Sequence, residues 1–165
     1  MQWMYYICDR EKYYKLNLMI MKKILMAILS VVLIQNVTLA DSERLISPEQ
    51  LPAAAQKLIK TYFGTQTVTY AKVDGYMFDV DYEVRLSDGT TIEFDRKGNW
   101  KNIECKPNSV PAKLVPARIA EYVSMNYSAA KILKIERNKR SYEVELSNRL
   151  ELTFDLKFNL VNIDD

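Results

Sequence analysis

The residues best suited to chemistry are carboxylates set two apart. Asp79, Asp81 and Glu83 alternate with other residues, and Glu93 and Asp95 repeat the spacing. In an extended strand that spacing puts the side chains on one face. Five carboxylates on one face could hold a cation or work as an acid–base pair. An exposed sheet face also needs alternating polar residues. The pattern favours that plainer reading, because no loop of calcium-ligand spacing accompanies the carboxylates. The chain of 165 residues has no His. This removes the commonest general base, the commonest metal ligand and every His-dependent triad. No glycine-rich phosphate loop, nucleophile elbow or metalloprotease motif occurs. Cys105 is the one Cys after residue 40, so it reads as a structural thiol. No catalytic residue, cofactor or resident metal is expected.

Contact chemistry is better represented. Tyr76-Met77-Phe78 follows an Asp74-Gly75 turn signal and leads into Asp79. An aromatic, Met-containing tip is suited to an exposed contact. On alternation alone, the favoured reading is that Tyr76 and Phe78 continue the inward register of Val80 and Tyr82 and extend the core. The candidate partner-binding residues are Tyr76, Met77, Phe78, Asp79, Asp81 and Glu83.

The elements that position them are strands and two helices. Leu51, Ala55, Leu58, Ile59, Tyr62 and Phe63 share one face of a helix from Pro52 to Phe63. Pro52 suits its first turn, and Gly64 suits a left-handed ending. Ser47-Pro48-Glu49-Gln50 has the form of a capping box. Strands are predicted at Thr67–Val73, Asp79–Leu86, Ile92–Asp95 and Trp100–Glu104, with Asp88-Gly89 as a hairpin turn.

The pattern then returns. Leu51-Pro52-Ala53 corresponds to Val115-Pro116-Ala117, and Tyr82, Phe94, Asp95 and Ile103 correspond to Tyr142, Phe154, Asp155 and Ile163. The register shifts by four residues between Val73 and Tyr82. A duplication is expected. The expected fold is α+β with two tandem repeats, each a helix packed on an antiparallel four-stranded meander sheet. Repeat one spans residues 48–105, a linker 106–110 and repeat two 111–165. Residues 41–47 form a polar lead-in.

Met21-Lys22-Lys23, an apolar run from Ile24 to Ile34 and Thr38-Leu39-Ala40 have the form of a signal peptide over 21–40. Residues 1–20 then read as an upstream extension that is not native. Residues 1–40 hold five Lys/Arg and two Asp/Glu, which leaves the remainder at about −1 although the whole chain is +2. Nothing in that balance suggests a nucleic-acid partner.

The helix opened by Pro52, then Tyr82-Glu83-Val84, Asp88-Gly89, Glu93-Phe94-Asp95 and Gly98-Asn99-Trp100, resembles the PepSY-like family of small exported bacterial proteins. The resemblance covers roughly residues 48–164. It weakens in the second half, where Asn148-Arg149 and Phe158-Asn159-Leu160 replace the glycine-containing motifs. It implies a fold like that of a β-lactamase-inhibitor protein. The expected function is an exported, non-enzymatic, inhibitor-like binding module, periplasmic or secreted. Its partner would be a protein or peptide of the cell envelope, met by the exposed sheet face or the 74–79 loop. No stable membrane insertion is expected after signal cleavage. The alternatives are a small-ligand carrier using the inter-repeat cleft and, last, a carboxylate-based, calcium-dependent enzyme.

Overall fold

Alternation with period two gives a strand one apolar and one polar face, and it runs through nearly every strand of this protein. The computed structural model describes residues 21–23, 43–76, 79–106 and 108–165. The chain divides into two units, 1–40 and 41–165. Only Met21–Lys23 of the first is described, so the upstream extension and all but the first three residues of the signal peptide lie outside the described residues. Among the described residues no helix is long and apolar enough to cross a membrane.

Nine strands form one antiparallel sheet in sequence order. They are β1 (Arg44–Ile46), β2 (Val68–Tyr76), β3 (Asp79–Leu86), β4 (Thr91–Asp95), β5 (Trp100–Glu104), β6 (Ile132–Arg137), β7 (Ser141–Leu146), β8 (Glu151–Asp155) and β9 (Leu160–Asp164). Two ten-residue helices, α1 (Ala53–Tyr62) and α2 (Ala117–Asn126), accompany them.

The expectation of two repeats, each with its own helix on a four-stranded sheet, is therefore corrected: the protein is mostly β, with a single continuous sheet. The junction is β5 against β6, paired at Asn102–Glu136, Ile103–Ile135 and Glu104–Lys134. Ile103 and Ile135 are both fully buried there. Two separate sheets would expose these side chains and the backbone groups of two edges. The lead-in also contributes, since β1 pairs with β2 and supplies the ninth strand.

One row of paired residues crosses all nine strands: Ile46, Ala71, Val84, Ile92, Ile103, Ile135, Val144, Leu152 and Ile163. Its interior members join one core with Ala55 and Ile59 of α1 and Ile119 and Val123 of α2. The helices thus cover the apolar face, and the opposite face is left polar.

Local signals held in part. Asp88-Gly89 makes its hairpin, with Gly89 at φ +88° and its N–H donating to Leu86 O at 3.0 Å. The Ser47–Gln50 capping box is present, but on a short 3-10 turn. Gly64 is not left-handed. It is required by close approach, since a Cβ there would stand 2.5 Å from Lys60 O. Asp74-Gly75 does not turn the chain either. Gly75 takes φ +103° inside β2, and pairing continues to Tyr76–Asp79.

Candidate functional site

One residue along from the apolar row, a second row crosses the polar face. It reads Leu45, Lys72, Glu83, Glu93, Asn102, Glu136, Glu143, Thr153 and Asn162, each paired with the next. It places Glu83 opposite Glu93 and Glu136 opposite Glu143. Like charges directly opposed are unfavourable, and each carboxylate has its own donor. Tyr70 Oη donates to Glu83 at 2.6 Å, and Lys72 reaches Glu83 at 3.0 Å and Glu43 at 2.7 Å. Asn102 Nδ2 donates to Glu93 at 3.1 Å. Lys134 holds Glu136 at 3.2 Å, and Asn138 Nδ2 donates to Glu143 at 3.0 Å. Asn102 Oδ1, at the centre of the row, is buried without a hydrogen-bond partner among the described residues.

These bonds shift the titration of the donors. The hydrogen bond to Glu83 raises the Tyr70 phenol above its ordinary value. Hydrogen bonds to Glu43 and Glu83 likewise hold Lys72 above its own. Lys106, bonded to Glu145 at 3.0 Å, is raised for the same reason.

A shorter row lies beside the first, with Asp74 opposite Asp81 and Asp81 opposite Asp95. Asp81 is bound by Lys101. Asp95 caps its own turn: Oδ1 accepts Lys97 N–H at 2.8 Å and Asn99 N–H at 2.9 Å, and Oδ2 accepts Asn99 Nδ2 at 2.9 Å. Burial works to raise its pKa, but the Asn99 and Lys97 bonds and the charge of Arg137 together hold it below the usual value. Asp155 makes the equivalent turn with Asn159 and Lys157.

Of the residues singled out by sequence, Asp81 and Glu83 stand together with Glu93 and Asp95 on this face. Tyr76 and Asp79 close the β2–β3 pairing. Met77 and Phe78 lie outside the described residues, as do the side chains of Tyr76 and Asp79. Sequence reading missed Glu136, Glu143 and Asn102. Their period-two spacing was visible, but their place in the row depends on the β5–β6 junction.

Among the described residues no three Asp, Glu or Cys side chains converge to hold a metal ion. Cys105 is buried, and burial pushes its thiol up to about 11. Iodoacetamide at about pH 8 is expected to leave Cys105 of residues 41–165 unmodified, because little thiolate forms and access is blocked. The same treatment in guanidinium chloride should alkylate it fully, as read by intact mass.

Residues 80–162 match the family described as "Putative beta-lactamase-inhibitor-like, PepSY-like". Three solved structures are similar. A "putative calcium-regulated periplasmic protein" of Bacteroides thetaiotaomicron is 49% identical, with a TM-score of 0.72, over 74% of this chain and 97% of that one. A putative periplasmic protein of Bacteroides vulgatus is 46% identical, with a TM-score of 0.74, over 76% and 99%. A second from that organism, of unknown function, is 36% identical, with a TM-score of 0.72, over 75% and 100%. Among curated proteins none matches.

Proposed function

Because the chain belongs to the PepSY-like family and is similar to solved structures described as putative periplasmic proteins, we propose that it is a periplasmic, non-enzymatic binding module whose acidic sheet face takes a basic protein or peptide. The supporting observation is the polar row, with four glutamates across five central strands and the helices on the other side. An acidic surface favours a basic partner through complementary potential and faster encounter. The Tyr76-Met77-Phe78 segment of the sequence, between β2 and β3, supplies apolar side chains of the kind that suit contact. Inhibitor-like action is the form of binding that the family's description suggests. The calcium regulation named for the B. thetaiotaomicron protein is that protein's property.

The test uses tagged residues 41–165 to capture partners from the native envelope fraction at low salt. Wild type is compared with Glu83→Gln/Glu93→Gln/Glu136→Gln and with Tyr76→Ser/Phe78→Ser, each checked for folding by circular dichroism. The expected result is a basic partner held by wild type, lost from the glutamine variant and released as salt rises past roughly 0.15 M, where the screening length is about 8 Å. Loss with the serine variant as well would place the contact at both surfaces. An identical partner set on the folded glutamine variant would overturn the role of the acidic face. Reproducible turnover that disappears with those substitutions would overturn the non-enzymatic reading.

A further inference from the structure

Pairing between β5 and β6 ends at Asn102–Glu136. Beyond that point Trp100 and Lys101 continue on one strand, and Arg137 and the Asn138–Arg140 turn continue on the other. A cleft of about 650 Å³ opens there, lined by Asp95, Lys101, Arg137, Asn138, Lys139 and Arg140. Four of these six side chains are cationic. The size lies within the ordinary range for small-ligand sites, roughly 300–1,000 Å³.

Cations outnumber carboxylates in the lining of the cleft. Asp95 is its one lining carboxylate, and both oxygens already accept hydrogen bonds from Lys97 and Asn99. Asp81 engages Lys101. Arg137, Lys139 and Arg140 have no ion pair within 4.0 Å among the described residues. Instead, the Arg137 guanidinium lies over the Trp100 ring, 5.2 Å from its centroid. Stacking of this kind restrains the guanidinium while leaving its charge and its N–H fork in place. A restrained arginine beside two exposed cations is suited to bidentate recognition of an oxyanion. The concentration of positive charge contrasts with the sheet face alongside and with a balance of about −1 over residues 41–165.

We propose that this cleft binds a small polyanion, a phosphate ester or a polycarboxylate, through Arg137, Lys139 and Arg140. The site goes beyond the partner-binding reading and stands without it, because it uses neither the glutamate row nor the β2–β3 tip.

The test is calorimetric titration of the full chain at low salt with sodium pyrophosphate and, separately, with sodium citrate. Backbone amide shifts of residues 137–140 locate the binding. Variants are Arg137→Gln, Lys139→Gln/Arg140→Gln and, as a control for general surface charge, Lys113→Gln. Lys139 and Arg140 are exposed turn residues, so their double variant keeps the test valid even where Arg137→Gln unfolds. Saturable binding that weakens about 10-fold or more in Lys139→Gln/Arg140→Gln, as expected for loss of charge-assisted bonds, and that is unchanged in Lys113→Gln would bear the proposal out. Binding of pyrophosphate alone assigns the phosphate class, its phosphate groups standing in for those of an ester, and citrate alone the polycarboxylate class. No binding of either, or equal binding by Lys139→Gln/Arg140→Gln and wild type, would overturn the proposal.

Discussion

Phe154→Ala is expected to destabilise the protein by about 3–5 kcal/mol, the usual cost of removing a large buried aromatic side chain. Phe154 is fully buried. On β8 it stands between Tyr142 and Leu160 of the flanking strands. The Tyr122 ring of α2 meets it edge-on, with centroids 5.5 Å apart. That geometry adds about 0.5–1.5 kcal/mol beyond area burial. Refilling the space would need α2 to move toward a sheet whose backbone is fixed by pairing on both sides. Small domains are stable by only about 5–15 kcal/mol in total, so the variant should unfold at markedly lower denaturant. Equilibrium urea denaturation of wild type, Phe154→Ala, Tyr122→Leu and the double variant checks both parts. A single-variant loss under about 1 kcal/mol, the size of an ordinary substitution, would mean that the helix does not pack on this ring. Additive losses in the double variant would remove the edge-on contribution.

The faces of this sheet were legible in sequence; its neighbours were not. Alternation placed Glu83, Glu93 and Asp95 on one face; the structure puts them half-buried on the polar face, with the neighbouring Val84, Ile92 and Phe94 buried on the other. Alternation has no term for which strand lies alongside. Lys134-Ile135-Glu136 reads the same whether it forms an edge or pairs with Asn102-Ile103-Glu104. Two sheets were therefore as consistent with the pattern as one. The same gap concealed the candidate sites. The glutamates on β3 and β4 were visible, but their continuation into Glu136 and Glu143 depends on the junction. Arg137-Asn138-Lys139-Arg140 is a basic run in the sequence, but its approach to Lys101 and Asp95 depends on where β5 and β6 part. β1 escaped because three residues carry too little periodicity. Asp74-Gly75 misled because the left-handed conformation that Gly supplies is also used inside a strand, where it marks an irregularity instead of a reversal.

Gly98→Ala is the second large effect, and its cause is different. Gly98 sits in the β4–β5 turn at φ +81°, with its N–H donating to Asp95 O at 2.8 Å. A side chain held left-handed costs about 1–2 kcal/mol by itself. Here the added Cβ would also stand 2.8 Å from Pro52 Cβ, 2.9 Å from Ala55 N and 3.2 Å from Ala54 Cβ. Those atoms belong to the start of α1, whose Ala55 and Ile59 are buried in the core, so the helix cannot withdraw without opening it. Overpacking of this kind costs typically about 1–3 kcal/mol, and the two contributions together predict a loss of about 2–5 kcal/mol. The second half of the chain shows which component dominates. Phe158 occupies the corresponding turn at φ +65° and packs its ring on Tyr142, 5.3 Å between centroids. A left-handed side chain is thus accommodated at the equivalent turn, where its ring packs on Tyr142. The difference at Gly98 is the approach of α1. Thermal unfolding of Gly98→Ala and Gly98→Asn separates the two: Asn relieves part of the left-handed strain but not the overlap. Equal, large losses are expected. Near-complete recovery with Asn would show instead that backbone conformation, and not the seating of α1, requires glycine here.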